Sequence, residues 1–278
     1  MVIWRNCSVE GEIMFIDTHC HLDASEFNDD RISVIARAKA AGVERIVIPA
    51  IGRCNFAAVR DLAHSFAGGY YALGIHPLFV ARSLDEDLDI LAQEVTQALS
   101  DPRFVGIGEI GLDFFVKDIA EGEPRKRQEH FYYEQLKLAR KHDLPVLLHV
   151  RRSQDMILKY LNRVPEVGGI AHAFNGSDQQ ADRFVERGFA LGLGGAMTFT
   201  RARQIRRLAT RVPISGLVLE TDSPDIAPAW LQGAHPRNTP EQIPAIAQVL
   251  AQLRGMSQVE VAQQTGASAL RILPRLAM

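Results

Sequence analysis

The sequence predicts a single closed (β/α)8 barrel, a TIM barrel. Apolar runs rich in Val, Ile, Leu and Phe alternate with stretches of helical period, the pattern of repeated βα units around a parallel sheet. Eight such runs can be marked, the number that closes a ring. With 278 residues and 47% hydrophobic content, the chain can bury one large core.

In order, the strands are expected at 14–19, 45–51, 70–75, 104–109, 145–149, 168–173, 189–194 and 217–222, each an apolar run with β-branched or aromatic residues. Asp29 opens a helix over 30–41 and Gly42 closes it. A stripe of Leu88, Leu91, Ala92, Val95 and Leu99 predicts a helix over 85–99, and Phe131, Leu136, Leu138 and Ala139 do the same for 125–142. Further helices are expected over 153–162, 178–187, 201–210, 241–253, 258–265 and 267–273. No internal repeat, low-complexity segment or linker divides the chain. An open doubly wound sheet also alternates strands and helices. Its dinucleotide signature would have to be Gly192-Leu193-Gly194-Gly195, which comes late and lacks G-x-G-x-x-G spacing. Those glycines read better as small residues that leave a ligand room at the mouth of strand seven.

Met14 directly precedes the first strand, so residues 1–13 are expected to be an extension outside a barrel spanning 14–278; loss of solubility or activity on deleting them would refute this. The stretch before Met14 carries Trp4, Arg5, Asn6, Glu10 and Glu12, too polar for a secretory signal. No run reaches membrane-spanning length. Cys7, Cys20 and Cys54 form no C-x-x-C pair, which argues against a disulfide framework and fits a reducing, cytoplasmic setting. The formal net charge of -2 gives no global field for nucleic acid, so such a partner must be held by a local patch or by metals. Nothing implies a membrane or an obligate protein partner.

In a barrel of this kind the carboxyl ends of the strands share one face, where active sites are built. His19 and His21 end strand one, two residues apart and so on one side, while Cys20 faces away. His76 ends strand three, Glu109 strand four, His149 strand five, His172 strand six and Asp222 strand eight. Imidazoles and carboxylates gathered in this way are the N/O donors a divalent metal needs.

Several runs carry a resemblance to a known family: Phe15-Ile16-Asp17-Thr18-His19-Cys20-His21-Leu22-Asp23, Gly74-Ile75-His76-Pro77, Gly106-Ile107-Gly108-Glu109-Ile110-Gly111-Leu112-Asp113, Leu148-His149-Val150-Arg151, Ile170-Ala171-His172-Ala173-Phe174-Asn175-Gly176-Ser177, Glu220-Thr221-Asp222-Ser223-Pro224 and Arg237-Asn238-Thr239-Pro240. As an ordered series covering essentially everything from Met14 onward, they resemble the TatD family of metal-dependent deoxyribonucleases, in the amidohydrolase superfamily. The resemblance implies a (β/α)8 barrel, a metal site, and hydrolysis of phosphodiester bonds in DNA, often exonucleolytic and in the 3' to 5' direction. It implies His19, His21, Glu109, His149, His172 and Asp222 as ligands, with His76 and Arg151 at positions suited to phosphate contact.

Related barrels often bridge two ions with a carboxylated lysine. No lysine here falls inward at a strand end, and Glu109 takes that place. His19, His21 and Asp222 would then hold one ion and His149 and His172 the other, with Glu109 between them. Two cations about 4 Å apart can clamp a phosphodiester and lower the pKa of bound water. Mg, Mn or Zn would serve; imidazole with carboxylate suits Zn, Mn, Fe or Ni, and Mg normally prefers oxygen. Asp222 is the expected general base, and His76 a donor to a phosphoryl oxygen or to the leaving 3'-oxygen. Asp17 and Glu220 share strand parity with His19 and Asp222 one layer deeper; one or the other is expected to take a proton from a ligating imidazole and fix its tautomer, the alternative being that they are paired structural groups. Arg151, Arg201 and Arg237 are candidate phosphate contacts, and Phe174 or Phe199 candidate stackers. The expected substrate is a single-stranded or frayed end of DNA, possibly RNA. The alternative is a small-molecule amidohydrolase or phosphoesterase using the same cavity, which would want an enclosed pocket with few charges.

Overall fold

A computed structural model describes residues 14–277, so the expected extension at 1–13 lies outside the described residues. Eight parallel strands follow in sequence order around the sheet: β1 (Phe15–Asp17), β2 (Val43–Pro49), β3 (Gly69–Leu73), β4 (Phe104–Asp113), β5 (Val146–Arg151), β6 (Gly169–His172), β7 (Phe189–Leu193) and β8 (Leu217–Leu219). The ring closes between β1 and β8 beyond the strands proper. Thr18 donates to Leu219 O through its amide (3.1 Å) and its hydroxyl (3.0 Å), Asp222 N–H donates to His19 O at 2.9 Å, and His21 N–H to Ser223 O at 2.8 Å. The expected barrel is therefore present.

Helices α1 (Arg31–Ala40), α2 (Phe56–His64), α3 (Glu86–Ala98), α4 (Gly122–Lys141), α5 (Gln154–Leu161), α6 (Asp178–Glu186), α7 (Arg203–Arg211), α8 (Ile243–Arg254) and α9 (Gln258–Ile272) fill the connections. Two differ from the sequence expectation. Helix α2 is not among the expected segments, although Phe56, Val59 and Ala63 bury one of its faces. The two short helices expected at 258–265 and 267–273 are one, because Gly266 has open space around it and the chain runs through it as helix.

Strand alternation sorts side chains into two cores. Ile16, Val47, Tyr70, Leu147, Ile170 and Val218 fill the lumen, and Ile272, Leu273 and Leu276 pack against them from the end where the strands begin. Tyr70, near the start of β3, donates its hydroxyl to Leu276 O at 3.3 Å, so that end is plugged. A larger cluster lies between sheet and helices. With one end sealed by apolar packing, the polar groups collect at the other. Among the described residues no helix is long and apolar enough to cross a membrane.

Candidate metal centre

At the carboxyl end of the strands a cavity of about 1230 Å³ opens, lined among others by His21, His76, Glu109, His149, His172 and Asp222. Glu109 sits at its floor, 1% exposed. Its position depends on an irregularity in β4: Ile107 pairs with Val146 and Ile110 with Leu148, so two residues of β4 face one of β5. Such a bulge re-aims a side chain, here the Glu109 carboxylate into the mouth. Gly108 makes the bulge possible, since a Cβ there would lie 2.6 Å from Leu147 Cβ.

The two oxygens of Glu109 face different partners. Oε2 is 3.2 Å from both His19 Nε2 and His21 Nε2, which are 3.3 Å from each other. Oε1 is 3.0 Å from His149 Nδ1 and 4.0 Å from His172 Nε2. Asp222 Oδ1 stands 3.7 Å from His19 and His21 and 3.6 Å from His172. The rings of His19 and His172 stack with centroids 3.8 Å apart. Asp222 has φ of 57°, a left-handed conformation that Asp tolerates better than most residues and that is common where a site stores strain.

Partners on the far side of each ring decide which nitrogen offers a lone pair. His149 Nε2 lies 3.0 Å from Asp113 Oδ2, and His172 Nδ1 lies 3.1 Å from Glu220 Oε1. A carboxylate accepts, so each ring holds a proton on that side and turns its other nitrogen toward Glu109. His76 is the reverse: its Nδ1 accepts from Leu78 N–H at 3.1 Å, so its proton is on Nε2, which lies 3.0 Å from His149 Nδ1 and 3.4 Å from Glu109 Oε1. His76 thus turns a donor toward His149 and Glu109 at the floor of the mouth.

Electrostatics agree. Burial penalises the Glu109 carboxylate, yet the imidazoles of His76, His19 and His149 hold it well below the usual range. Burial also opposes charge on His21 and His172, but carboxylates outweigh it and raise them to about 9 and about 10, Glu109 acting most on His21 and Asp222 on His172. Burial lowers His76 to about 4, leaving it neutral at pH 7. Burial lifts Asp222 to about 6, with His172 and His21 pulling the other way. The cluster attracts positive charge, and its groups of three donors, His19–His21–Glu109, His19–His172–Asp222 and His76–Glu109–His149, each gather within 4.8 Å. Convergent imidazole nitrogens and carboxylate oxygens fit a divalent cation.

A model of the family described as TatD related DNase matches residues 16–274. The chain belongs to this TatD family. It is 41% identical over 252 residues to the uncharacterized metal-dependent hydrolase YjjV of Escherichia coli K12, covering 90% of this chain and 93% of that protein. The crystal structure of that TatD homolog superposes with a TM-score of 0.86 at 40% identity, over 94% of this chain and 98% of that one. The human deoxyribonuclease TATDN3 is 31% identical over 268 residues, 94% of this chain and 95% of that protein. This TatD protein is accordingly a metal-dependent hydrolase.

Several expectations need correction. Asp17 takes no proton from an imidazole. It alternates with lumen-facing Ile16, so its carboxylate lies in the seam, where Oδ1 accepts from the amides of His19 (3.2 Å) and Thr221 (3.0 Å) and Oδ2 from the Thr221 hydroxyl (2.6 Å). Burial raises it to about 8 against those hydrogen bonds. Glu220 does sit behind an imidazole, His172, and also accepts from Ala173 N–H at 2.6 Å. Gly192 makes room for this carboxylate rather than for a ligand: a Cβ there would be 2.0 Å from Glu220 Oε2. Arg237 is not available to phosphate, because it pairs with both Asp30 oxygens (2.8 and 2.7 Å) and donates to Glu26 O at 2.6 Å. Arg201 lies over Phe199 at 5.5 Å and does not line the mouth, whereas Arg151 and Arg207 do. Phe174 is fully buried against Phe184 and cannot stack on a substrate.

Asp113 is the residue sequence reasoning missed. Strand β4 runs to Asp113, pairing it with Arg151, four residues beyond its expected end. Asp113 shares the parity of Glu109, so reading the strand that far would have found it. Gln128 of α4 holds it in place, accepting from Asp113 N–H at 2.9 Å and donating to Asp113 O at 3.3 Å.

Proposed function

We propose that this protein hydrolyses phosphodiester bonds in DNA from the 3' end of single-stranded or frayed ends. The observation that carries the reading is the division of Glu109 between two sets of imidazole nitrogens at the floor of a wide mouth whose wall holds the exposed guanidinium of Arg151. The name deoxyribonuclease borne by the human relative points the same way, and the 3' to 5' direction rests on the family resemblance.

His19, His21 and Asp222 would hold one divalent cation, His149 and His172 a second, with Glu109 shared. Such ions polarise a phosphoryl group and lower the pKa of bound water, which gives a nucleophile without a catalytic Ser or Cys. Asp222, whose carboxylate would stand beside the cation and its bound water, is suited by position to general-base duty. His76 is neutral with its proton on Nε2; it donates a hydrogen bond to a phosphoryl oxygen and steadies the charge that develops there. Handing that proton to the leaving oxygen would leave an imidazolate, so His76 orients and stabilises rather than protonates. Arg151 binds a flanking phosphate in two-pronged fashion. Asp113 and Glu220 keep His149 and His172 turned inward.

Incubating protein reconstituted with Mg, Mn or Zn with end-labelled single-stranded DNA, beside Asp222→Ala, tests this directly. The expected result is stepwise loss of nucleotides from the 3' end by the wild type and not by the variant. Equal, negligible release by both would move the activity to small molecules.

A further inference from the structure

One wall of the mouth carries an arrangement of which the reaction so far uses only Arg151. Phe115, just past β4, is 44% exposed and lines the cavity. Two guanidinium groups from the end of β5 lie against its ring, Arg151 at 3.8 Å and Arg152 at 4.6 Å from the centroid. Both arginines are exposed and line the same cavity. Neither donates a hydrogen bond to any described residue. The nearest carboxylate to Arg151, Asp113 Oδ2, is 3.9 Å away and is already engaged by His149 at 3.0 Å. By contrast Arg237 and Arg211 are each held by both oxygens of one carboxylate, Asp30 and Asp182.

The arrangement is fixed to the reacting centre. Asp113 Oδ1 accepts from the amides of Phe115 (2.8 Å) and Val116 (3.0 Å), while Oδ2 of the same carboxylate orients His149. Arg151 O accepts from Phe114 N–H at 2.9 Å. Arg152 has φ of 56°, and the next residue, Ser153, ties the turn to Leu112 O through its hydroxyl at 2.6 Å. A left-handed arginine pinned beside a solvent-facing aromatic is a costly conformation of the kind found at binding sites. Across the mouth, the walls from the β1 and β8 loops carry Asp23, Glu26 and Asp225, none of which pairs with a cation among the described residues. A polyanion is therefore welcome on one wall and repelled by the other.

We propose, building on the DNA reading above, that Phe115 with Arg151 and Arg152 forms the subsite for the nucleotide next to the one released, the ring and guanidinium planes stacking on its base and the guanidinium groups holding its phosphate. Aromatic and guanidinium faces accept any base, so this subsite confers a requirement for chain length without a sequence preference. The substrate is then a strand lying along the β4–β5 wall alone, with only its terminus over Glu109.

The test compares wild type, Phe115→Ala and Phe115→Trp on a single-stranded tetranucleotide and on bis(p-nitrophenyl) phosphate, a diester without a base. For Phe115→Ala, kcat/KM on the tetranucleotide falls about tenfold, carried by KM, as expected for one lost base stack, and the loss on the small diester is several-fold smaller. Phe115→Trp restores the tetranucleotide KM, and its added indole fluorescence is quenched when the oligonucleotide binds. Equal losses on both substrates, or no change in the tetranucleotide KM, would overturn the subsite while wild-type cleavage of the oligonucleotide keeps the DNA reading. Turnover of the small diester with no cleavage of oligonucleotide by the wild type would overturn both.

Discussion

The two halves of the donor cluster are positioned by different means. On the β5–β6 side, His149 and His172 are each backed by a buried carboxylate, Asp113 and Glu220, which is itself anchored by backbone amides. On the β1–β8 side, His19 Nδ1 is buried without a hydrogen-bond partner among the described residues. That half is set by the backbone across the seam, through Asp222 N–H to His19 O and His21 N–H to Ser223 O, with Asp17 bracing Thr221. One half therefore depends on single side chains behind the imidazoles, the other on closure of the barrel.

This contrast breaks most visibly at the carboxylates. Asp113→Asn and Glu220→Gln keep the shape but lose the pure acceptor behind the imidazole, and each is expected to weaken metal affinity on the β5–β6 side by about 10- to 100-fold. Calorimetric titration with Zn or Mn would read this, and unchanged binding would remove the orienting role. A smaller effect follows from protonation. His21 and His172 are raised to about 9 and about 10, so both carry protons at pH 7, and those protons must leave before the nitrogens can bind a cation. Apparent metal affinity should therefore rise with pH from 6 to 9, by up to about tenfold per pH unit for each proton displaced, with matching acidification of a weak buffer. Affinity that stays flat or falls over that range would contradict the assignment. The smallest effect on metal, and a clear one on stability, belongs to Asp17→Ala. Two buried amides lose their acceptor, at about 1–3 kcal/mol each, so thermal unfolding should shift down by several degrees while metal affinity changes less than for Asp113→Asn. The opposite ranking would place Asp17 with the imidazoles after all.

How far these features were legible in the sequence follows from the range of the signal. The ring of strands and the gathering of His19, His21, Glu109, His149, His172 and Asp222 at one end could be read locally, because each residue ends an apolar run and parallel strands put those ends on one face. The bulge at Gly108–Glu109 gives no pattern in a single strand, since it exists only relative to β5. Asp113 was hidden by a strand judged four residues too short. Arg237 and Arg201 looked alike as charges. Only the fold brings Asp30, 207 positions away, against the first, while leaving Arg151 and Arg152 without an acceptor. Phe174 and Phe115 present the same difficulty: both follow a strand, and packing alone buries the first and exposes the second.

The most direct measurement is anomalous diffraction from crystals of the protein grown with Mn. A centre shared through Glu109 predicts two peaks in the mouth, one flanked by His19, His21 and Asp222, the other by His149 and His172, with the Glu109 carboxylate between them. A map with no peak among these side chains, or with density only elsewhere on the molecule, would contradict it.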